Sequence, residues 1–362
     1  MQFPPVNAGP RGTGYGKNTL TAAQKKAAQK KRRKKKRRKK SGAKKMERMK
    51  MTVGLGCVDR FDEIVRAGAD EVFCGYVPEK WTDAFGALRP LNRRESLWTN
   101  AQAGPITEMR ILREKADRAG IPVAVALNAP VYSPPEMPLL LETAEQLVRE
   151  GFDSLIVGNM AALAALNAGG VAGKCRVHLS GEFGEVNRGL LPLLRRMGVR
   201  RVIFHRKMSF EDMRLLSLAM ARFSPPMEAE AFAMNELCHF TGAYCATLHG
   251  DLTVPMCRVD WIPGGVSVKK SPPERAGMRF GAGEGCGLCA LRRLRESGVA
   301  VVKMAGRGAR AKDMTQRIAL LRDALRLEAE CESEEEYLLR LRRLTKGKCG
   351  GECYYPEAGR FI

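Results

Sequence analysis

The sequence predicts an α/β fold, namely a (β/α) barrel of the TIM type with a cysteine-rich insertion before its last βα unit, behind a disordered basic N-terminal tail. Two observations predict the barrel. From residue 52 onward, short apolar runs alternate with amphipathic segments, a rhythm typical of parallel βαβ units. About eight such units over roughly 250 residues fit a closed barrel better than an open doubly wound sheet, which is the alternative.

Each element follows from local pattern. Strands are predicted where short apolar runs are bounded by Gly, Pro or polar residues, at 52–56, 71–74, 122–127, 155–157, 176–179, 201–204, 227–232 and 299–304. Helices are predicted where apolar residues recur at helical spacing, at 61–67, 106–118, 138–151, 160–167, 188–197, 209–220, 288–297 and 313–326. Gly68, Gly120 and Gly198 end three of them. The stretch between the second strand and residue 104 reads as a loop.

Charge and composition divide the chain into a tail, 1–50, a barrel, 51–330, with its insertion at 233–290, and a C-terminal extension, 331–362. The tail carries a charge of +18 out of the +23 of the whole chain. Its centre is a run of eleven consecutive basic residues from Lys30 to Lys40, whose mutual repulsion predicts disorder.

Such a tail could bind RNA or an anionic membrane surface through charge alone. The alternatives are that it is a dispensable extension or that translation starts after it. No stretch approaches ~18 uninterrupted apolar residues, so no membrane span is predicted. The N-terminus also lacks the order of a secretory signal, and the cytoplasm is therefore the expected location.

The chain has eleven cysteines, and an odd number in a cytoplasmic protein does not indicate a disulfide framework. Five of them fall in the insertion: Cys238, Cys245, Cys257, Cys286 and Cys289. Four thiolates suit Zn²⁺ or an iron–sulfur cluster equally well by ligand number. Cys349 and Cys353 form a further pair near the C-terminus that binds another metal or none.

In a barrel of this type, reactive groups lie where the strands end at the carboxyl face. That rule places six residues near one mouth: Asn128, Asn159, Ser180, Arg206, Glu230 and Arg307. Arg206, Lys303 and Arg307 supply positive charge for an anion, and Glu230 is a candidate general base. His178 and Ser180 share one side of a strand, but no HExxH motif and no triad indicates a protease.

Several segments resemble the collagenase-like peptidase family of class U, number thirty-two. The resembling segments are GLGCVDRFDEIVRAGADEVFCG (54–75), VAVALNAPVY (123–132), VHLSGEFGEVN (177–187), VIFHRKMSFEDM (202–213), EAFAMNELCHFTGAYC (230–245) and CGLCALRRLRESGVAVVKMAGR (286–307). The fifth is similar to the hallmark ExFxxGxLCxxxxGxC. Glu182 departs from the HLSTQ segment of the family, Asn235 from its Gly and Ala305 from the Glu of KIEGR, which indicates a divergent subgroup.

The resemblance implies a 4Fe–4S cluster held by Cys238, Cys245, Cys257 and Cys286, with Cys289 as the alternative fourth ligand. It implies oxygen-independent hydroxylation of RNA or of a quinone precursor, with prephenate as the hydroxyl source and a partner of the same family. Catalytic roles are then expected for Glu230, Arg206 and His178. Contacts to a prephenate-like anion are expected for Lys303, Arg307 and Asn128. The older family name implies a peptidase, and a non-catalytic metal-binding subunit is the remaining alternative.

Overall fold

A computed structural model describes residues 48–86, 89–93, 102–238, 285–308, 311–348 and 352–358. Its strands are β1 (Lys50–Leu55), β2 (Glu71–Gly75), β3 (Val123–Leu127), β4 (Ser154–Val157), β5 (Arg176–Leu179), β6 (Val199–Ile203), β7 (Glu228–Met234), β8 (Gly285–Cys286), β9 (Val301–Met304) and β10 (Glu352–Cys353). The predicted basic tail falls almost wholly on residues 1–47, which lie outside the described residues.

Eight of these strands close into a parallel barrel. Strands β1 to β7 pair in chain order, and β9 then pairs in parallel with both β7 and β1. Because β9 has a partner on each side, the eight barrel strands form a closed ring, which excludes the open doubly wound alternative. The predicted (β/α) barrel is therefore confirmed.

Ten helices of the described residues accompany the strands. They are α1 (Phe61–Ala67), α2 (Glu79–Phe85), α3 (Ile106–Ala119), α4 (Met137–Arg149), α5 (Met160–Ala168), α6 (Leu191–Arg196), α7 (Phe210–Met220), α8 (Leu291–Glu296), α9 (Ala311–Glu330) and α10 (Glu334–Leu344). Helix α2 lies in the stretch that the sequence predicted as a loop. It forms because Trp81 is fully buried and its indole N–H donates to the Arg89 carbonyl at 2.9 Å. Across the described residues, no helix has the length and apolar character needed to cross a membrane.

The first strand begins earlier than the sequence predicted. Met49 and Met51 are buried, and the Arg48 guanidinium forms two hydrogen bonds to the Asp70 carboxylate, at 2.6 and 2.8 Å. Asp70 also accepts a bond from the backbone N–H of Met51 at 2.8 Å. Residues 48–50 therefore belong to the barrel and not to the tail.

The inside of the barrel carries charge where barrels of this type usually hold branched apolar side chains. The Arg201 guanidinium donates to Glu71 at 2.6 and 3.0 Å, to Glu230 at 3.0 Å and to Glu228 at 2.9 and 3.0 Å. Lys303 donates to the other oxygen of Glu230 at 2.8 Å. We call these five residues the interior ion cluster.

Ion pairing offsets the cost of burying the charged side chains of the interior ion cluster. Burial alone would raise the pKa of Glu71, but the hydrogen bonds and charge of Arg201 outweigh it and lower that pKa. Arg176 adds a third cation by donating to Glu228 at 2.8 Å, so that three cations face three carboxylates. A buried charge is stable only when such partners replace its lost hydration.

The C-terminal extension returns to the barrel. Strand β10 pairs in parallel with β8, with Cys353 in register with Cys286. Strand β8 in turn pairs with the end of β7, where Met234 faces Cys286. The three strands form a small sheet at the rim of the barrel, which we call the rim sheet.

Removing the centre of the interior ion cluster tests its importance. Arg201→Met keeps most of the side-chain volume but leaves the carboxylates of Glu71 and Glu230 buried without their guanidinium. We expect the free energy of unfolding, measured by urea denaturation, to fall by about 3–5 kcal/mol.

The matched control is Arg214→Met. Arg214 pairs with Glu211 on an exposed helix surface, where the two side chains are 46% and 62% exposed. We expect a loss of about 0–1 kcal/mol there. Equally small losses at both positions would show that the interior ion cluster does not stabilise the fold.

Candidate active site at the barrel mouth

A small cavity lies at the carboxyl ends of the barrel strands. Its volume is about 80 Å³ among the described residues. Four residues that the sequence placed at one mouth line it together: Asn128, Ser180, Arg206 and Arg307. Pockets that bury a whole drug-sized ligand measure roughly 300–1,000 Å³, so this cavity suits one end group of a ligand.

One wall is a chain of hydrogen bonds between strand ends. The Asn128 amide donates to the Ser180 hydroxyl at 3.2 Å, and the backbone N–H of Glu182 donates to the same hydroxyl at 3.2 Å. The backbone N–H of Arg93 donates to Asn128 at 3.1 Å. These bonds fix the backbone of both Arg93 and Glu182 beside the cavity.

Two guanidinium groups share the Glu182 carboxylate. Arg206 donates to one oxygen at 3.0 Å, and the Nε atom of Arg93 lies 3.5 Å from the other. Arg206 also stacks on Phe232, with its guanidinium carbon 3.8 Å from the ring centroid. The Arg206 side chain is almost fully buried, and its Nε atom has no hydrogen-bond partner among the described residues.

On the opposite wall, the glycine at residue 75 leaves space for the Arg307 guanidinium. A Cβ atom on Gly75 would lie 2.0 Å from an Arg307 nitrogen and 1.9 Å from the Gln102 amide oxygen. Arg307 donates to Asn92 at 3.0 Å and to Gln102 at 3.3 Å. Neutral amides therefore hold this guanidinium in place, and only glycine at residue 75 leaves space for it.

Lys303 connects the cavity to the interior ion cluster. It lines the cavity, donates to Glu230 below and lies 3.7 Å from the centroid of the Phe73 ring. Burial lowers the pKa of Lys303, although the Glu230 carboxylate acts in the opposite direction. Glu230 is buried and does not line the cavity. The structure thus places this candidate base outside the lining of the cavity, to which it is joined by its hydrogen bond with Lys303.

His178 also lies below the mouth. It is buried, and its Nε2 atom has no hydrogen-bond partner among the described residues. Burial lowers its pKa well below the usual value, and the charges of Arg201, Arg176 and Lys303 lower it further. The ring is therefore held neutral within the barrel.

Two of the cysteines predicted as ligands lie at the rim next to this cavity. Cys238 follows β7, and Cys286 in β8 pairs with Met234 near the end of β7. The described chain before residue 239 and after residue 284 therefore meets at one place, where the backbone N–H of Asn235 donates to the Gly285 carbonyl at 2.9 Å. Cys245 and Cys257 lie outside the described residues. Among the residues that the structure does describe, no group of three His, Cys, Asp or Glu side chains is placed to hold a metal. Cys289 lies on the short turn that precedes α8.

Arg206 lines a second cavity, of about 170 Å³, which we call the thiol cavity. Cys238, Cys353, Tyr354 and Tyr355 are among its other lining residues. The buried Arg206 side chain therefore borders both the mouth cavity and the cavity that contains these thiols.

Sequence reasoning missed Arg93 and Glu182 at the mouth, and two residues that it placed there, Glu230 and Asn159, do not line the cavity. Arg93 lies in an irregular segment with no periodic signal, and Glu182 was noted only as a departure from a motif. Asn159 does not line the cavity. It caps α5 instead, where its side chain accepts from the backbone N–H of Ala162 at 3.1 Å and donates to the Pro130 carbonyl at 2.9 Å.

Comparison with known proteins gives one family match. The profile of peptidase family U32 matches residues 56–357. Among solved structures, the chain is similar to the U32 peptidase Mk0906, with 12% identity, a TM-score of 0.36, and coverage of 52% of this chain and 70% of that one.

Two further structures are similar at low identity. KGPDC from Streptococcus mutans shows 10% identity, a TM-score of 0.39, and coverage of 78% of this chain and 98% of that one. Dihydrodipicolinate synthase from Bacillus clausii shows 10% identity, a TM-score of 0.41, and coverage of 78% of each chain. No curated protein matches the chain.

Glu182 should control which anions enter the mouth. Glu182→Gln keeps the shape and one hydrogen-bond acceptor but removes a negative charge shared by two guanidinium groups. We expect the affinity for a small dicarboxylate such as malonate, measured by calorimetry at low salt, to rise about tenfold, which is ~1.4 kcal/mol. Glu211→Gln, on an exposed helix surface, is the control. An unchanged affinity in Glu182→Gln would contradict this role.

His178 should make stability depend on pH. In the unfolded chain a histidine takes up a proton near pH ~6.5, whereas the folded barrel holds His178 neutral. Its contribution is therefore complete above about pH 6.5 and is lost below it, by up to ~1.4 kcal/mol per pH unit. We expect His178→Gln to flatten the free energy of unfolding between about pH 7 and about pH 5, measured by urea denaturation. If the free energy of unfolding falls equally steeply with pH in the wild type and in His178→Gln, His178 does not cause the pH dependence.

Proposed function

The chain belongs to peptidase family U32, and on that premise we propose that it is an iron–sulfur barrel protein that supports oxygen-independent hydroxylation of RNA or of a quinone-type precursor. The observation that carries the proposal is the position of Arg206. Its side chain lines both the mouth cavity and the thiol cavity that contains Cys238. An anion bound at the mouth would therefore lie next to a predicted ligand of the cluster.

The chemistry of the mouth supports an anionic co-reactant. Arg93, Arg206, Lys303 and Arg307 line the cavity, against Glu182 and Glu236. Buried guanidinium groups bind carboxylates by charge-assisted hydrogen bonds that are stronger than neutral ones. A carboxylate-bearing reactant such as prephenate would meet several cationic side chains in this cavity.

The thiols at the rim fit the proposed cluster. Cys238 and Arg206 line the same cavity, so a positive charge lies near one of the predicted thiolate ligands. Cys286 lies in the adjacent rim sheet. When bound, a 4Fe–4S cluster supplies one-electron redox chemistry, while the residues of the mouth bind and orient the reactant.

Proteolysis has less support in the same geometry. The Ser180 hydroxyl already accepts hydrogen bonds from Asn128 and from the backbone of Glu182. His178 is buried, and its Nε2 atom donates to and accepts from no group among the described residues. A serine nucleophile needs a base within hydrogen-bond reach, and the residues that the structure describes form no such pair at this mouth.

RNA is the substrate class that would give the basic tail a role. A strongly basic segment raises affinity for RNA without reading its sequence, which leaves recognition of the modified base to the mouth. A quinone-type precursor would need no such tail. RNA is therefore the substrate class that we favour.

The decisive test is the metal content of the full chain purified without oxygen. We expect about four iron and four sulfide per chain and a broad visible absorption band. Cys238→Ala should lose most of the iron and the band, because one of four thiolate ligands is removed.

The control is Cys57→Ala, which removes a half-buried thiol from the turn after β1 and should keep the wild-type iron content. Zinc at about one per chain would replace the redox proposal with a structural metal site. A wild-type protein without any metal would refute the iron–sulfur assignment.

A further inference from the structure

We propose that Lys303 is a nucleophile, and that it captures the carbonyl carbon of a 2-oxo acid at the barrel mouth as an imine. The inference shares with the proposed function only the binding of a carboxylate at the mouth, and it needs no cluster. It starts from the four cationic side chains that line the mouth cavity. Three of them are arginines, whose guanidinium groups keep their charge in proteins. Lys303 is therefore the one cation of the described lining that can become a neutral nucleophile.

The barrel holds the Lys303 side chain in a fixed position. Lys303 lies near the carboxyl end of β9, in register with Thr52 of β1 and with Phe232 of β7. Its side chain is 7% exposed, and its ammonium donates to the Glu230 carboxylate at 2.8 Å and lies 3.7 Å from the centroid of the Phe73 ring. A long side chain that is already ordered by such contacts loses little further conformational freedom when it reacts.

A buried amine gives up its proton more readily than an exposed one. Burial lowers the pKa of Lys303, and the charge of Arg201 lowers it further, while Glu230 acts in the opposite direction. An exposed lysine, with a pKa of about 10.4, is a neutral amine in roughly one molecule in a thousand near pH ~7.4. Lys303 therefore presents the reactive form of the amine more often than the exposed lysines do.

The neighbouring strand brings a carboxylate site next to this amine. Phe232 is in register with Lys303, and the Arg206 guanidinium lies 3.8 Å from the centroid of the Phe232 ring. Arg206 and Lys303 line the same cavity of about 80 Å³. In a 2-oxo acid, the reactive carbonyl carbon is bonded directly to the carboxylate carbon. A carboxylate that pairs with Arg206 would therefore bring that carbonyl carbon beside the Lys303 amine.

Ser180 supplies a donor for the carbonyl oxygen. Its hydroxyl accepts hydrogen bonds from the Asn128 amide and from the backbone N–H of Glu182, both at 3.2 Å. With its lone pairs engaged, the hydroxyl can bond to a reactant in the cavity only by donating its own proton. Such a bond would stabilise the negative charge that develops on the carbonyl oxygen when the amine adds.

The covalent step balances without an oxidant or a reductant. The Lys303 ammonium passes a proton to the Glu230 carboxylate, which accepts its hydrogen bond at 2.8 Å. The free amine then forms a C–N bond with the carbonyl carbon, and an amine proton moves to the oxygen to give a C–OH group. Glu230 returns its proton to that oxygen, the C–O bond breaks, and water leaves as the C=N bond forms. One ammonium and one ketone thus give one iminium and one water.

Reductive trapping in the wild-type protein tests this inference. The full chain is incubated with pyruvate and with sodium cyanoborohydride, which reduces an iminium to a stable secondary amine, and the modified lysines are located by peptide mass spectrometry. Lys80, whose side chain is 71% exposed, is the internal reference. We expect Lys303 to be modified at least ~tenfold faster than Lys80, because binding places the carbonyl beside the amine. Lactate, which has no ketone, should modify neither residue.

A competitor and two matched variants separate binding from reactivity. Excess malonate should slow the modification of Lys303 several-fold and leave that of Lys80 unchanged, because only Lys303 depends on a carboxylate at the mouth. Lys303→Arg keeps a positive charge beside Glu230 but cannot form an imine, so the fast phase of trapping should disappear. Lys80→Arg should keep that fast phase. Circular dichroism melting checks that both variants fold.

The outcomes distinguish this inference from the proposed function. Modification of Lys303 no faster than that of Lys80 in the folded wild type would overturn the inference. Fast modification that malonate does not slow would also overturn it, since a carboxylate at the mouth would then not deliver the ketone. Iron-free protein that is trapped rapidly at Lys303 would refute the proposed function alone. Iron-loaded protein that is not trapped would refute this inference alone.

Discussion

The structure depends on the ion cluster inside the barrel. Closing eight strands forces their inward side chains into one shared space, and here that space holds Arg201 bonded to Glu71, Glu228 and Glu230. Each carboxylate comes from a strand other than that of Arg201, so the charges are satisfied only when the strands adopt one register. Buried ion pairs of this kind add little net stability compared with apolar packing. They disfavour a barrel in which one of the strands that carry these charges, β2, β6, β7 or β9, has slipped.

The mouth is built on that cluster, and its geometry follows from it. Glu230 orients Lys303, and Lys303 forms the floor of the mouth cavity. Beside Lys303, two glycines leave space for neighbouring groups. Gly75 leaves space for the Arg307 side chain, and a Cβ atom on Gly158 would lie 2.9 Å from the Asn128 backbone. Glu182 then joins two guanidinium groups at the top. The charged side chains of the mouth are thus connected through Lys303 to the interior ion cluster. A substitution in that cluster would therefore change both the stability of the fold and the charge of the mouth.

Much of this architecture could be predicted from the sequence. The elements and site residues that were missed have in common that no periodic sequence pattern marks them. Alternating apolar runs marked all eight barrel strands, and the rule for strand ends found Asn128, Ser180, Arg206 and Arg307. Helix α2 and strand β10 were missed because tertiary contacts create them: the buried Trp81 ring in one case, and pairing with β8 in the other. Arg93 and Glu182 lie in irregular segments. The pattern of a sequence reports periodic structure, and such segments have no period.

Barrel closure has a consequence for synthesis of the protein. The hydrogen bonds that close the barrel join β1 to β9, which are separated by about 250 residues. At roughly 5–20 residues per second, a ribosome needs roughly 12–50 s to make the intervening chain. During that time β1 can pair with β2 but keeps its other side unsatisfied, and an open strand edge is a site of wrong association. That edge of β1 stays open to wrong association until β9 has been made and can pair with it.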